Sequence, residues 1–414
     1  MNREYFGLNV RSDIEQIHIY LKSDKYENSE LTIIISDIDS DYLIWKSNTK
    51  FLNRSFYWFK PNEFHNFNGF IIQIFESDIK IFENKIRLKN IHGDTKIEKQ
   101  FLFIGNIGGM GDHFSVEPLI RKISEITEQK LTVFSYFPDL FINHPSIEKL
   151  IKIELDDSNE NIPEEYSNEK IRYVLRCEKD KFGYLPYWNT MDFRQYAASQ
   201  VGITLKKDEL EYHFYPNDFK PIEELPEKYV VINPSITQPY RTWNSDYWQK
   251  LIDILNDNDI NVVSIGKHIF NKGFYDVKIK KGINLCGDER QNDLSQVWHI
   301  LNKSDMFITF DSGLFIFAGS TDTFLLQIGS SLDPEYHTPY RNGSQTYKYE
   351  HVDGECKLRC FSDLKYAIQW CGSFGNIDGR QMIGYCFKDY VEGNNFDCHP
   401  KPEEVARKAL DNLK

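Results

Sequence analysis

The residues able to do chemistry fall into a few groups. In GNIGGMGDHFSVEPLI, four glycines (Gly105, Gly108, Gly109, Gly111) precede Asp112, and a helical pattern follows. Without a Cβ, such a loop either makes a tight turn or lets a ligand approach the backbone. A carboxylate at a helix N-terminus is expected to stay ionised in the helix dipole and could take a proton from an incoming hydroxyl. The spacing is not the dinucleotide fingerprint G-x-G-x-x-G. Further on, NPSITQPYRTWN offers the hydroxyls of Ser235 and Thr237 and the guanidinium of Arg241, whose fork suits phosphate oxygens. Asp311-Ser312-Gly313 ends a strand pattern and opens a helical one. Backbone N–H groups there form an anion site, and Asp or Ser can also serve as the N-cap.

Seven cysteines complete the inventory, and five of them (Cys356, Cys360, Cys371, Cys386, Cys398) crowd near the C-terminus. In a reducing compartment such clustering points to metal before disulfide. Four thiolates make a closed tetrahedral site, hence a structural one, for zinc or iron. Cys356, Cys360, Cys371 and Cys398 are the preferred ligands, with Cys386 as the alternative. The pair Asp37 and Asp39 reads as a turn, and His113 and His337, which have no spaced partners, read equally well as surface residues.

The elements that must hold these groups follow from periodicity. Residues 1–98 read as short strands rich in β-branched and aromatic residues (LTIIISDI, SFYWF, GFIIQIF, IKIFENKIRL), an accessory β-sandwich or barrel. From residue 99 strands and helices alternate, the mark of a parallel α/β sheet. EPLIRKISEIT places Leu119, Ile123 and Ile126 on one helical face, and FRQYAASQVGI turns Tyr196, Ala197 and Val201 inward. The segment PNDFKPIEELPEK then reads as a linker. A second unit opens at Tyr229. Its helices bury Trp248, Leu251, Ile252 and Leu255, then Leu294, Val297, Trp298 and Leu301. The expectation is an α/β protein with Rossmann-like domains at 99–225 and 226–414 and a cysteine-rich element at 351–400. Ligands would sit in the cleft beyond the carboxyl ends of the strands.

Bulk properties exclude some partners. The chain has 414 residues, 41% of them hydrophobic, enough for more than one core. A net charge of −13 leaves no basic surplus for a nucleic-acid backbone. No apolar run reaches the roughly 18 residues that span a bilayer, and the first residues lack an apolar signal region. A cytoplasmic protein without a membrane span is expected.

Taken in order, GGMGDHFSVEPLI, MDFRQYAASQVGI, RTWNSDYW, FITFDSGLFIFAGS, LLQIGSSLDPEYHTPYR and CHPKPEEVARKAL resemble the family 9 glycosyltransferases, heptosyltransferases of GT-B fold. The likeness is above all to the bacterial autotransporter heptosyltransferases and runs over residues 70 to 414. It implies inverting transfer of a heptose from a nucleotide-activated donor, ADP-heptose, to Ser or Thr hydroxyls of a protein. No catalytic divalent metal is expected. By the same resemblance Asp112 is the general base, Gly109 and Gly111 bring the sugar close, and Arg241 stands where the family commonly has a lysine that contacts the diphosphate. Asp311, Ser312 and Gly313, with Ser235 and Thr237, would hold the nucleotide. The autotransporter group carries a cysteine-bound iron finger that opens C-x2-C, where this chain has C-x3-C. The group forms rings, which implies a homo-oligomer. Alternative readings are an enzyme acting on lipopolysaccharide or another glycan with a different nucleotide-sugar, and a non-catalytic carbohydrate-binding scaffold.

Overall fold

The computed structural model describes residues 5–10, 17–22, 29–38, 43–50, 55–59, 69–87, 100–105, 109–153, 164–166, 171–175, 192–199, 201, 203–234, 241, 243–266, 277–291, 293–330, 332–356, 374–377, 380–383 and 398–413. Among them the first part is all strand. β1 (Tyr5–Val10), β2 (Ile17–Lys22) and β5 (Ser55–Phe59) form one antiparallel sheet. β3 (Glu30–Asp37), β4 (Leu43–Lys50), β6 (Gly69–Glu76) and β7 (Ile79–Arg87) form another, ordered β4-β3-β6-β7. Alternation places Leu31, Ile33, Ile35, Ile72 and Ile74 on one buried face, as a period of two requires. β3 ends at Asp37 and a turn follows at residue 38, while Asp39 lies outside the described residues.

The second part is α/β. β8 (Phe101–Ile104), β9 (Leu131–Ser135), β10 (Ile147–Lys152) and β11 (Ile171–Val174) make an all-parallel sheet ordered β10-β9-β8-β11. After β8 come α1 (Met110–Phe114) and α2 (Glu117–Thr127), and α3 (Phe193–Ser199) follows β11. Leu119 and Ile123 are buried as the helical spacing predicts, but Ile126 is 59% exposed. The last turn of α2 runs out to a left-handed cap at Glu128, beyond the sheet that buries its first turns. Tyr196 and Ala197 point inward as expected; Val201 lies past the end of α3 and is only half-buried.

The third part is a six-stranded parallel sheet built from β12 (Val230–Ile232), β13 (Val262–Ser264), β14 (Gly282–Asn284), β15 (Met306–Phe310), β16 (Phe324–Ile328) and β17 (Tyr349–Val352). Its order is β14-β13-β12-β15-β16-β17, a doubly wound order that reverses direction between β12 and β15. Val231, Val263, Phe307 and Leu325 join one core with α5 (Leu294–Lys303) and α6 (Gly313–Ala318). Their neighbours Val230, Ile232, Val262, Ile308 and Leu326 join the opposite core with α4 (Ser245–Asp257). Runs apolar at every position are what a parallel strand covered on both faces needs. In α4 the four predicted positions, Trp248, Leu251, Ile252 and Leu255, are fully buried, each worth about 1.5–3 kcal/mol on the usual transfer scale. In α5 Val297 and Leu301 are buried, whereas Leu294 and Trp298 are half-buried at the rim.

α7 (Pro334–His337) follows β16, and a hairpin of β18 (Phe374–Ile377) and β19 (Arg380–Ile383) precedes α8 (Pro402–Asn412), which packs on α4. The Trp243 indole donates to the Pro400 carbonyl at 3.1 Å, which ties the start of α4 to the segment leading into α8. Among the described residues no helix is long and apolar enough to cross a membrane.

Candidate active site

Both parallel sheets have a reversal point, and Asp112, Arg241 and the Asp311-Ser312-Gly313 segment follow strands that flank these two points. In the first sheet the reversal is between β8 and β11, where the Gly105 N–H bonds the Val174 carbonyl at 2.7 Å. The chain leaves β8 there and arrives at Asp112. In the second, β12 runs on towards Arg241 and β15 ends in Asp311-Ser312-Gly313.

The glycines decide how close these points come. Gly111 is buried, and a Cβ on it would lie 2.7 Å from the Gly313 Cα. A Cβ on Gly313 would in turn lie 3.1 Å from the Gly111 nitrogen and 3.3 Å from the Met110 Cε. The backbones of α1 and α6 therefore touch, which only glycine allows. Whatever ligand they meet, Gly111 and Gly313 are in close approach to each other. Gly111→Ala is accordingly expected to destabilise the fold by about 1–2 kcal/mol, as overpacking against backbone exceeds the gain of about 1 kcal/mol in helix propensity. Gly313→Ala, whose tightest side-chain neighbour is a flexible methionine end, should cost less. Thermal unfolding of the two variants checks the ranking.

Asp112 sits at the third position of α1 and reaches back, its Oδ2 accepting the Gly109 N–H at 2.5 Å. Gly109 is exposed and serves as the N-cap. Arg241, half-buried, donates from Nη1 to the Asp311 Oδ2 at 3.1 Å, and Asp311 is 2% exposed. On the other side of Asp311, the His337 Nδ1 lies 3.9 Å from Oδ1. Burial pushes the Asp112 pKa above the ordinary carboxylate value. The Gly109 N–H, then His337 and Arg241, oppose the rise, and the Asp311 charge adds to it. The shift is opposite in direction to the one the helix dipole would give. α1 has only five residues and so a small dipole, and desolvation of the carboxylate outweighs it. Gly111, next to Asp112, lies against Gly313, two residues past Asp311, so the two reversal points adjoin and Asp112 feels the charges of His337, Arg241 and Asp311.

Ser312 is the N-cap of α6, its hydroxyl accepting the Phe315 N–H at 3.1 Å. Ser235 and Thr237 lie outside the described residues. The two histidines are not surface residues. His113 is fully buried, edge-on to Phe137 at 4.8 Å between ring centres and to Tyr136 at 6.3 Å, and burial drops its pKa to about 4. His337 is mostly buried beside Asp311. No local signal in LDPEYHTPY marks His337, because its partner lies on a different strand end.

Of the cysteine cluster, Cys356 and Cys398 are described and both are buried. Cys360, Cys371 and Cys386 lie outside the described residues. The Gly354 N–H donates to the Cys398 carbonyl at 3.1 Å, so the chain leaves and returns at one place. Among the described residues no group of three or more His, Cys, Asp or Glu could hold a metal.

The model of the family described as Glycosyltransferase family 9 (heptosyltransferase) matches residues 189–359. No curated protein sequence matches the chain. Among solved structures it is similar to the dodecameric iron-containing heptosyltransferase TibC in complex with ADP-D-β-D-heptose, at 15% identity and a TM-score of 0.56, covering 100% of this chain and 96% of that one. A second structure of TibC, from enterotoxigenic E. coli H10407, matches at 16% identity and a TM-score of 0.52 over 96% and 94% of the two chains. A family 9 glycosyl transferase from Veillonella parvula DSM 2008 matches at 12% identity and a TM-score of 0.52, over 77% of this chain and 98% of its own. At such identities the structural likeness speaks for the fold, while the family match spans the segment from α3 through Arg241, Asp311 and His337. The match to the family 9 glycosyltransferase model is thus carried by residues 189–359, the segment that holds three of the candidate residues.

Proposed function

We propose that the chain is an inverting GT-B enzyme that transfers a heptose from ADP-heptose to Ser or Thr hydroxyls of a protein acceptor. The observation that carries this reading is the cluster of Asp112 with Arg241, Asp311 and His337, drawn from both reversal points. A base on one wall and a cation on the other are what a single displacement at a sugar C1 requires. The acceptor oxygen bonds to C1 as the bond to the diphosphate breaks on the opposite face, which inverts the centre. Asp112 takes the hydroxyl proton, and its raised pKa makes it a stronger base than an ordinary carboxylate. Arg241, helped by Ser235, Thr237 and the backbone around Ser312 and Gly313, stabilises the charge on the departing nucleotide, so side chains do the work of a divalent ion. The domains are read as 99–225 for the acceptor side and 226–414 for the nucleotide, with 1–98 as an accessory β region. That TibC is dodecameric and was solved in complex with ADP-D-β-D-heptose supports the donor and a homo-oligomer, while a protein acceptor such as an autotransporter and a cytoplasmic site of action belong to the proposal itself.

The test is a titration with ADP, GDP and UDP followed by transfer assays with and without a Ser/Thr peptide acceptor. ADP at about a hundred times its Kd is expected to stabilise the protein by about 2.7 kcal/mol. Stabilisation by UDP or GDP alone would reassign the donor, and transfer to a glycan but never to peptide would reassign the acceptor.

The buried thiols of Cys356 and Cys398, at a point where the chain returns on itself, fit the base of a thiolate site. Bound there with Cys360 and Cys371 or Cys386, iron or zinc would brace the C-terminal region and take no part in transfer. Metal analysis is expected to find about one ion per chain, lost in Cys398→Ser together with several degrees of thermal stability. A metal-free preparation with unchanged unfolding would remove the site.

A further inference from the structure

We propose that Arg194 is a positioning residue for the transfer, holding the wall of His337, Asp311 and Arg241 at a fixed separation from Asp112. The proposal rests on the reading of Asp112 as base and Arg241 as phosphate-binding cation. Arg194 lies in α3 and is 1% exposed. Its Nε donates to the Asp192 Oδ1 at 2.9 Å, and its Nη2 pairs with the Asp192 Oδ2. From the same guanidinium, Nη1 donates to the Leu210 carbonyl at 3.0 Å and Nη2 to the Thr338 carbonyl at 3.1 Å.

Those contacts reach both walls. Thr338 directly follows His337, the residue beside Asp311. On the other side, the Arg194 guanidinium lies 5.1 Å from the ring centre of Tyr212. Tyr212 stacks on Phe114 of α1 at 5.3 Å, two residues beyond Asp112, and its hydroxyl is 3.1 Å from the Ser115 Oγ. A parallel link reinforces the joint, because the Glu211 Oε1 accepts the Gly343 N–H at 2.9 Å and Glu211 bridges Tyr340. One side chain thus ties the helix that carries the base to the segment that adjoins the cation.

Stability alone does not account for such a residue. Taking an ion pair out of water costs about as much as its attraction returns, and a well-packed apolar replacement is often as stable. What an apolar residue cannot do is fix three chain segments in one plane, which the rigid guanidinium fork does. Lysine keeps the charge opposite Asp192 but loses that fork.

The test uses the full chain with Arg194→Lys and, to avoid an uncompensated carboxylate, Asp192→Asn combined with Arg194→Met. Both are expected to bind ADP as the unaltered protein does, since the nucleotide wall is intact. Transfer kcat should fall about tenfold or more, because misplacement of the reacting groups by an ångström costs that much. Amide exchange at residues 110–116 and 313–318 should quicken while the strands β8 and β15 keep their protection. Unchanged kcat and unchanged exchange would overturn the proposal. So would an even loss of protection across both sheets in both variants, which marks an ordinary core residue. Should the unaltered protein turn over no ADP-sugar, the functional reading fails on its own, and the exchange pattern still decides whether Arg194 joins the walls.

Discussion

Asp112→Asn is expected to lower sugar transfer by about 10²–10⁴-fold, the usual contribution of a positioned general base, with little change in affinity for ADP. Asparagine keeps the shape and can still accept the Gly109 N–H through its amide oxygen, so α1 should hold its place. What disappears is the site for the acceptor's proton. The variant should be no less stable than the unaltered protein, because a half-buried carboxylate whose charged form is desolvated is replaced by a neutral group. Near-normal transfer by Asp112→Asn would end the assignment of the base. The pH profile gives a second reading. A base must be deprotonated, so the rate should rise with pH through the Asp112 pKa, which lies above the ordinary carboxylate value. The sign for stability is the opposite. The folded state takes up this proton more readily than the unfolded chain, so the Asp112 contribution to stability grows as pH falls through that window and is lost as pH rises. Activity and this contribution to stability should therefore move in opposite directions across the same acid limb.

Arg241→Met should reduce transfer by about 10²–10³-fold, the loss seen when one donor to developing negative charge is removed. Arg241→Lys should be much milder, because the charge remains within reach of the diphosphate although the bidentate fork is lost. Methionine also leaves the Asp311 carboxylate buried without its partner, a change that costs about 3–5 kcal/mol for a fully buried pair and less here, as Arg241 is half-buried. Pairing Arg241→Met with Asp311→Asn separates the two effects: stability should recover and transfer should not. Removing the Arg241 charge also takes away one influence that lowers the Asp112 pKa. The acid limb of any residual activity should then shift to higher pH. An unshifted limb would mean that the two groups do not face each other across the cleft.

Much of this was legible from residue order. Alternation of period two and period 3.6 placed β8, β12 and β15 and the helices after them, because each strand is apolar on both faces and each helix on one. Asp112, Arg241 and Asp311 stood out because charged or glycine-rich stretches at strand ends are local signals. Periodicity failed at Ile126, where the helix outruns the surface that would cover it, and at Val201, where the helix has already ended, matters of neighbours and not of spacing.

The sequence by itself determined the alternating α/β chain, the strand ends at which chemistry could occur, and the residue types available there. Only the tertiary structure decided what those residues face. It set Gly111 against Gly313 and Arg194 against a carbonyl 144 positions away, put His337 beside Asp311, and raised the proton affinity of Asp112 by taking it out of water. Desolvation and pairing depend on atoms brought from distant parts of the chain, and a linear pattern encodes which residues are buried without encoding beside whom.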